Sequence, residues 1–504
     1  MGIETELKFR VPQRGLQTLR SRKIPGSTMG ESSENDLRSI YFDTPRLKLK
    51  RRGLSLRVRK AGGKHVQTIK ADAPASFGRG EWETEVNDGF PDLRKVKGTP
   101  LKQIGAKKLR RKLKPIFETS VHRTVVPVRT GGSEIELAID RGNIKAGRRS
   151  SRIEEVELEL KRGRPADLFR LAKTMERRSE AELYLRTKSE RGYELAQGNE
   201  GQVVFAETIE LGKGVAAGEA FRTIARSCVR HFADNADAVR ACDPEGVHQM
   251  RVGLRRLRAA ISIFASLLPD RRTERIRTEL KWLTDELAPA REIDVFVKQE
   301  IKPLGSGVVP RRASKALEEQ FAAKRDSAFA RARRTVDSAR FRALLLDVLT
   351  WIEGSHDHSA DQAGAAATRF ATDVLRRQVR KVLKQGKHLA KLSARGRHKV
   401  RIRVKKIRYA VEFFESLFPK RRRKALARLS RRLRRIQDAL GSLNDLIAHR
   451  QMAAAAALHA PRRNRRARAF ASGVIVGREE EAAKPLMKVA IREVGKLRHA
   501  GRFL

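Results

Sequence analysis

The chain has 504 residues, of which 111 are Lys or Arg and 59 are Asp or Glu, for a formal net charge of +52. That length asks for two or three cores, and the charge selects polyanionic partners and excludes basic ones. Two cysteines, Cys228 and Cys242, lie too far apart for a metal-type cluster and too few for a disulfide framework, so a reducing, cytoplasmic setting is the expectation. No apolar run nears the ~20 residues of a membrane span, and Met1 leads into a charged segment with no apolar leader behind it.

The first segment, Ile3–Phe9 (IETELKF), alternates as a strand does: Glu4, Glu6 and Lys8 on one side, Ile3, Thr5, Leu7 and Phe9 on the other. Acids and a base on one face suit a surface that holds a metal ion and an anion together. After a short helical piece and a polar loop come residues 39–45 (SIYFDTP) and the alternating 54–59 (LSLRVR), with Arg57 and Arg59 sharing a face. Gly62-Gly63 then reads as a hairpin turn before 66–70 (VQTIK), which ends on Lys70. In 79–86 (RGEWETEV), Glu81, Glu83 and Glu85 share a side, though its direction depends on register. A basic, helical interval over 92–114 precedes the strand 117–123 (FETSVHR), which ends on Arg123. Residues 134–140 (EIELAID) repeat the opening pattern through Glu134, Glu136 and Asp140, and 155–160 (EVELEL) repeat it through Glu155, Glu157 and Glu159. A helix is expected over 165–178, and residues 185–193, with Lys188, close the domain at about 195.

One such strand alone reads as an ordinary sheet with a solvated charged face. Together they say more, because a solvated face tolerates Ser, Thr, Asn and Gln where these alternate positions are repeatedly Glu, Asp, Lys or Arg. A sheet of about eight strands that closes turns this face inward. Bases then surround a chain of phosphates while carboxylates hold Mg²⁺ or Mn²⁺, hard ions that favour oxygen ligands.

The ordered set of Glu4-x-Glu6-x-Lys8, Tyr41–Pro45, Leu56-Arg57-x-Arg59, Glu155-x-Glu157-x-Glu159 and Lys188-Ser189 resembles the CYTH domain of the triphosphate tunnel metalloenzymes. The resemblance implies an eight-stranded antiparallel β tunnel that hydrolyses a triphosphate with a divalent metal. By motif, Glu4 and Glu6 with Glu155, Glu157 and Glu159 would coordinate a first metal, and Asp140 with Glu136 would serve a second metal or orient water. Lys8, Arg57, Arg59, Lys70, Arg123 and Lys188 would hold phosphate oxygens. Asp140 and Glu157 are the candidates for activating water, with Lys8 and Lys188 as the bases at the reacting phosphate.

Residues 196–218, with four glycines between 201 and 218 and little periodicity, read as a linker, with 203–205 able to form a short strand. From Glu219 on, the spacing is helical, rich in Ala, Leu and Arg, and duplicated. His248–Arg258 (HQMRVGLRRLR) recurs 150 residues later as His398–Arg408 (HKVRIRVKKIR), with His and bases at i, i+3, i+7 and i+10 on one helical stripe. Each copy runs into an apolar segment ending at Pro269 or Pro419, and each half later shows a related element, 287–294 or 440–445. Residues 354–365 read as the loop between halves of about 219–353 and 366–500.

The duplicated His-Arg helix resembles the CHAD domain. That implies an all-α domain over about 219–500, of two pseudo-symmetric four-helix bundles whose basic helices line a groove for inorganic polyphosphate. Its ligand set would be His248, Arg251, Arg255, Arg256, Arg258, His398, Arg401, Lys405, Lys406 and Arg408. Ala288-Pro289, Glu292 and Gly253 depart from the family pattern, so the first half is expected to bind differently.

The whole is thus an α+β chain, and three functions compete. The first is a metal-dependent triphosphatase acting on inorganic tripolyphosphate, with an organic triphosphate as the alternative substrate and polyphosphate as a second ligand. The second is a non-catalytic polyphosphate binder associated with granules. The third, nucleic-acid binding, ranks last: aromatics are 5% of the chain and none interleaves with the basic helices as a stacking platform.

Overall fold

The computed structural model describes residues 5–21, 24–71, 80–104, 109, 111–268, 271–306, 309–354, 365–459 and 464–500. Its first part contains β1 (Thr5–Arg10), α1 (Gln13–Ser21), β2 (Thr28–Met29), β3 (Ser33–Asp43), β4 (Leu54–Ala61), β5 (Lys64–Ala71), β6 (Gly80–Val86), β7 (Lys114–Thr130), β8 (Ser133–Ala146), β9 (Arg149–Arg162), α2 (Pro165–Ser179), β10 (Glu182–Leu183) and α3 (Lys188–Gln197). They form one antiparallel sheet in the order β10-β1-β9-β8-β7-β3-β4-β5-β6, with β2 on β7. Eight strands are long and two, β2 and β10, have two residues each. The hairpins β4–β5 and β7–β8 turn on Gly62-Gly63 and Gly131-Gly132, where positive φ at both positions matches the twist of the paired strands.

Period-two alternation sorts the sheet's faces. Ile135, Leu137 and Ile139 of β8 and Val156 and Leu158 of β9 are buried, as are Leu168, Leu171, Ala172 and Met175 of α2, which packs on these two strands. A second apolar layer joins Leu54, Leu56, Val58 and Ile69 to Leu93, Val96 and Leu101. Among the described residues of the interval 92–114, expected to be helical, there are two short 3₁₀ turns, Leu93–Lys95 and Pro100–Ile104, and Leu109 is helical; Gly98 at φ 82° and Pro100 keep the two turns apart.

The rest of the chain is all helix: α4 (Ala217–Ala233), α5 (Ala236–Arg240), α6 (Pro244–Ile263), α7 (Arg271–Glu286), α8 (Ala288–Phe296), α9 (Arg311–Val336), α10 (Ala339–Glu353), α11 (Ala367–Gly386), α12 (Ala394–Phe414), α13 (Lys420–Leu458) and α14 (Arg465–Ala500). Both His-Arg segments lie in helices started by side-chain caps. Asp243 accepts from the N–H groups of Glu245 and Gly246 at α6, and Ser393 accepts from Gly396 at α12. The two related later elements differ physically: Pro289 splits the first into α7 and α8, whereas the second lies inside the continuous 39-residue α13.

The chain divides into two compact units, Met1–Val204 with Val229–Ala238 and Val336–Gly354, and Phe205–Cys228 with Val239–Thr335 and Ser355–Leu504. Within the first, Arg10 pairs with Asp237 at 2.8 Å, Arg342 with Glu176 at 3.2 Å and Lys173 with Asp347 at 2.6 Å. The strand expected at 203–205 does not form; the backbone of Val204 instead exchanges two hydrogen bonds with the Asn235 amide, at 3.0 and 2.8 Å. The expected loop 354–365 lies mostly outside the described residues. No described helix is long and apolar enough to cross a membrane.

Candidate functional site

The charged face of the sheet is laid out by strand register. Glu6, Glu159 and Glu136 are cross-strand neighbours on β1, β9 and β8; two residues along, Lys8, Glu157 and Ala138 form the next row; beyond it come Glu155, Asp140 and, on β7, Arg123. At the other arm, Tyr41 faces Arg57, Ser55 faces Lys70, and Lys70 faces Glu81. No pairing joins β6 to β1 or β10 among the described residues. The two arms nevertheless meet around one cavity of about 620 Å³. Its lining includes Glu6, Lys8, Arg57, Arg59, Lys70, Glu81, Glu83, Arg123, Glu136, Glu157, Glu159 and Lys188, so most residues the sequence assigned to metal and triphosphate converge there. Glu4 lies outside the described residues.

Two charge clusters structure the cavity. In the first, Lys188 Nζ is 2.7 Å from Glu157, 2.7 Å from Asp140 and 3.0 Å from Glu155, and Lys8 Nζ is 3.0 Å from Glu157. Arg123 grips Asp140 through two bonds of 2.7 Å and donates to Glu157 at 2.5 Å. Burial alone would push these carboxyl groups up; Lys188 first, then Lys8 and Arg123, outweigh it and hold Glu157 well below the usual carboxylate range, and Lys188 and Arg123 hold Asp140 below it too. Burial would also lower Lys188, but Glu155, Glu157 and Asp140 raise it above the ordinary lysine value.

In the second cluster, Lys70 pairs with Glu81 at 2.9 Å and Arg57 with Glu81 at 3.5 Å. Among the described residues Arg59 donates to Ser39 Oγ at 3.3 Å, and burial followed by repulsion from Arg57 pushes its guanidinium down to about 10. Burial would raise the Tyr41 phenol, yet Arg57 and Arg59 hold it below its ordinary value. A cavity that lowers both an arginine and a tyrosine has an excess of positive charge at that end, which an anion would neutralise.

The structure differs from the sequence reading at Asp140 and Glu155. Expected at the metal, they lie beneath the lining at 0% and 1% exposure, because their row is the deepest and is sealed by Lys188, Arg123 and, on Glu155, Arg191. Of the assigned metal donors, Glu6, Glu136, Glu157 and Glu159 reach the cavity, with Glu157 already engaged by Lys8, Lys188 and Arg123. Lys161 joins them, 2.7 Å from Glu159 and 3.5 Å from Glu136. Lys161, Ser55 and Thr187 line the cavity without having been singled out, and Tyr41 and Ser189 of the motif segments line it without having been assigned a role. The alternation signalled Ser55 and Lys161, two residues from Arg57 and Glu159. Asp43 of the Tyr41–Pro45 segment is structural: fully buried, it accepts from the N–H groups of Thr44, Leu49 and Lys50 and from the Tyr193 hydroxyl. Lys188 itself opens α3, whose first turn is fixed by a capping box between Thr187 and Glu190.

In the helical unit, a cavity of about 310 Å³ is lined by His248 and Arg255 of α6, by Arg401, Lys405 and Arg408 of α12, and by Asp438 and Asp445 of α13, among others. Burial lowers every shifted base here: His248 to about 4, with Arg291 contributing next, and Lys405 to about 7, with Arg401 and Arg255 contributing next. Arg251 is pushed to about 10 by burial and Arg255, and donates to the Thr284 carbonyl at 2.7 Å. Two of the bases assigned by the repeat turn elsewhere. Arg256, 1% exposed, donates to Glu412 at 2.9 Å, and Lys406 donates to both the carbonyl and the hydroxyl of Ser262 at 2.7 Å. Arg258 and His398 are exposed, the latter 3.1 Å from the Asn444 side chain.

A CYTH domain model matches residues 2–193 and a CHAD domain model residues 223–454. An inorganic triphosphatase of Haemophilus influenzae is 30% identical over 196 residues, 38% of this chain and 54% of that protein, so the chain spans about half the length of that relative. Among solved structures, the CHAD domain from the plant Ricinus communis is 26% identical, with 56% of this chain and 96% of that one covered and a TM-score of 0.47. PptA from Streptomyces chartreusis is 21% identical, with 55% and 99% covered and a TM-score of 0.45.

Proposed function

Because the chain is a CYTH domain followed by a CHAD domain, we propose that its sheet cavity hydrolyses inorganic triphosphate to diphosphate and phosphate with a divalent ion, Mg²⁺ or Mn²⁺, and that its helical unit binds polyphosphate. The observation that carries this reading is the single cavity in which bases and carboxylates from both arms of the sheet line the same 620 Å³. The two signs already pair with each other there, and a phosphorylated anion with its metal would engage both.

Glu6, Glu136 and Glu159 present the hard oxygen donors such an ion favours, and are the residues that would hold it. Bound there, the ion would neutralise charge on phosphate oxygens. Arg57, Arg59 and Lys70 at one end and Lys8, Arg123 and Lys188 at the other would bind the two ends of the triphosphate. These bases stabilise the charge that spreads over the transferred phosphoryl oxygens as water attacks in line and diphosphate departs. Glu157 is a weak proton acceptor where three cations hold it, so its part is to orient Lys8, Arg123 and Lys188, with Asp140 and Glu155 supporting from beneath. Tyr41 stacks on Phe117, with ring centres 4.4 Å apart, and is otherwise buried. Its ring is thus engaged in the core, which favours an inorganic chain over a substrate carrying a base.

The test is phosphate release from tripolyphosphate, ATP and thiamine triphosphate with Mg²⁺ or Mn²⁺, in the wild type and in Glu159→Gln. Release from tripolyphosphate, lost in the variant, supports the proposal; binding of tripolyphosphate without release overturns the catalytic part. Polyphosphate titration of a His248→Ala/Arg255→Ala/Arg401→Ala/Lys405→Ala chain tests the helical groove, and undiminished affinity counts against it.

A further inference from the structure

Within the helical unit, and outside the linings of both cavities, Glu300, His449 and Glu479 each direct a donor atom into one space, and these atoms lie within 4.8 Å of one another. The three come from separate elements. Glu300 sits in a π-helical turn, Val297–Ile301, that continues α8; His449 is on α13 and Glu479 on α14. π-turns are costly interruptions found mostly where a helix must aim a side chain for a purpose.

The surroundings are apolar. Phe296 meets the His449 ring edge to face at 5.3 Å, and Phe296, Ala453 and Ile475, each one turn from a member of the trio, belong to one buried cluster. His449 and Glu479 are each 3% exposed. His449 Nδ1 is 3.0 Å from Glu300 and 3.2 Å from Glu479. The Nδ1 contact with Glu300 has hydrogen-bond geometry. Glu479 meets the same nitrogen as an ion pair, and neither of its buried oxygens has a hydrogen-bond partner among the described residues. Even a protonated His449 offers one positive charge to two carboxylates, and the neighbouring Arg450 pairs with Glu480 instead.

We propose that Glu300, His449 and Glu479 form a divalent-metal site. One imidazole nitrogen with two carboxylates suits borderline first-row ions such as Zn²⁺, Co²⁺ or Mn²⁺ better than Mg²⁺ or Ca²⁺, which prefer all-oxygen shells. Such an ion supplies the positive charge that Glu479 lacks and clamps the π-turn, α13 and α14 to one another. None of its three residues lines either cavity.

The test uses the full chain stripped by a chelator, with CoCl₂ or ZnCl₂ as the probe, in wild type, Glu479→Gln, His449→Gln and the sheet-cavity variant Glu159→Gln. Bound metal is counted after equilibrium dialysis, and Co²⁺ absorption and melting temperature are followed. The wild type is expected to bind one more equivalent than Glu479→Gln or His449→Gln and to melt higher with Co²⁺, a shift those two variants lose and Glu159→Gln retains. In the metal-free state Glu479→Gln should melt at or above the wild-type temperature, because a neutral amide needs no cation. Equal stoichiometry and equal shifts in all four chains would overturn the site. So would loss of the equivalent in Glu159→Gln alone, or a metal-free Glu479→Gln that melts lower while no metal moves any chain, which would mark a plain ion-pair cluster.

Discussion

Replacing Lys188 with Met keeps the aliphatic stem and removes the charge that three carboxylates share. At 2.7 Å and an effective dielectric of about 20, each close contact is worth about 6 kcal/mol gross. Desolvation of the buried ions and repulsion from Lys8 and Arg123 offset most of that sum, and removing one partner of such a buried network costs a net of about 3–5 kcal/mol. For a unit of roughly 200 residues this lowers the melting temperature by about 6–20 °C. The pH dependence follows from the directions of the shifts. Asp140, Glu155 and Glu157 are held below their ordinary values, so their stabilisation is complete above the ordinary carboxylate range and is lost as pH falls through the lower folded values. Lys188 is held above its ordinary value, so its share is complete below that value and fades only as pH rises through the folded one. In Lys188→Met the carboxyl groups move back up, and acid unfolding should begin at higher pH than in the wild type. Calorimetric melts from pH 3 to 8 measure both effects. Phosphate release, read well below the variant's melting temperature, should fall about 10²–10³-fold. Adding Asp140→Asn should recover part of the stability and none of the activity. A Lys188→Met chain that melts within a degree or two of the wild type, with its acid transition unmoved, would refute the network's energetics.

Arg59→Gln should behave in the opposite way: with no carboxylate ion pair among the described residues and a guanidinium depressed by burial, Arg59 contributes little to folding, so the variant should melt at or slightly above the wild-type temperature while KM for tripolyphosphate rises about tenfold or more; a lower melting temperature with unchanged KM would contradict this. Lys405, pushed down to about 7 by burial and by Arg401 and Arg255, should regain its proton when a polyanion arrives, so polyphosphate affinity should fall as pH rises from 7 towards 10. Calorimetric titration at pH 8 in buffers of different ionisation enthalpy should show net proton uptake that Lys405→Met abolishes. Gly192→Ala would place a methyl carbon 2.0 Å from Phe117 Cε2 where α3 meets β7, and should cost about 1–3 kcal/mol in a denaturant melt.

Much of the sheet was legible because its signal is strictly periodic. Glu155, Glu157 and Glu159 alternate with buried Val156 and Leu158, and the register that aligns them with Glu6, Lys8, Glu136 and Asp140 follows from burying one face. Depth was not legible. Alternation says that Asp140 and Glu157 share a face, but only the register rows show that Asp140 lies under Arg123 and Lys188 while Glu157 reaches the cavity. The trio Glu300, His449 and Glu479 left no mark in the sequence at all, since its members are separated by 149 and 30 residues and are joined only by packing.

The helical repeat shows how a shared pattern separates into binding and structural positions. Bases at i, i+3 and i+7 from His248 fall within about 60° around the helix, whereas i+8 stands about 100° from i+7. Arg256 and Lys406 occupy that i+8 position in the two copies, and each crosses to the other copy's helix, Arg256 to Glu412 and Lys406 to Ser262. Since 256 and 406, and 262 and 412, are each separated by the repeat length, these are the same contact made twice, as a twofold relation between α6 and α12 requires. The two versions differ in charge. Arg256 meets a carboxylate and is buried at 1%, while Lys406 meets a neutral serine, and burial followed by Arg377 and Lys381 pushes it down to about 8. The duplication therefore keeps the geometry of the crossing while the energetics of its halves differ, and with Pro289 breaking only the first half's helix, the cavity lined by α6 and α12 has two unequal walls.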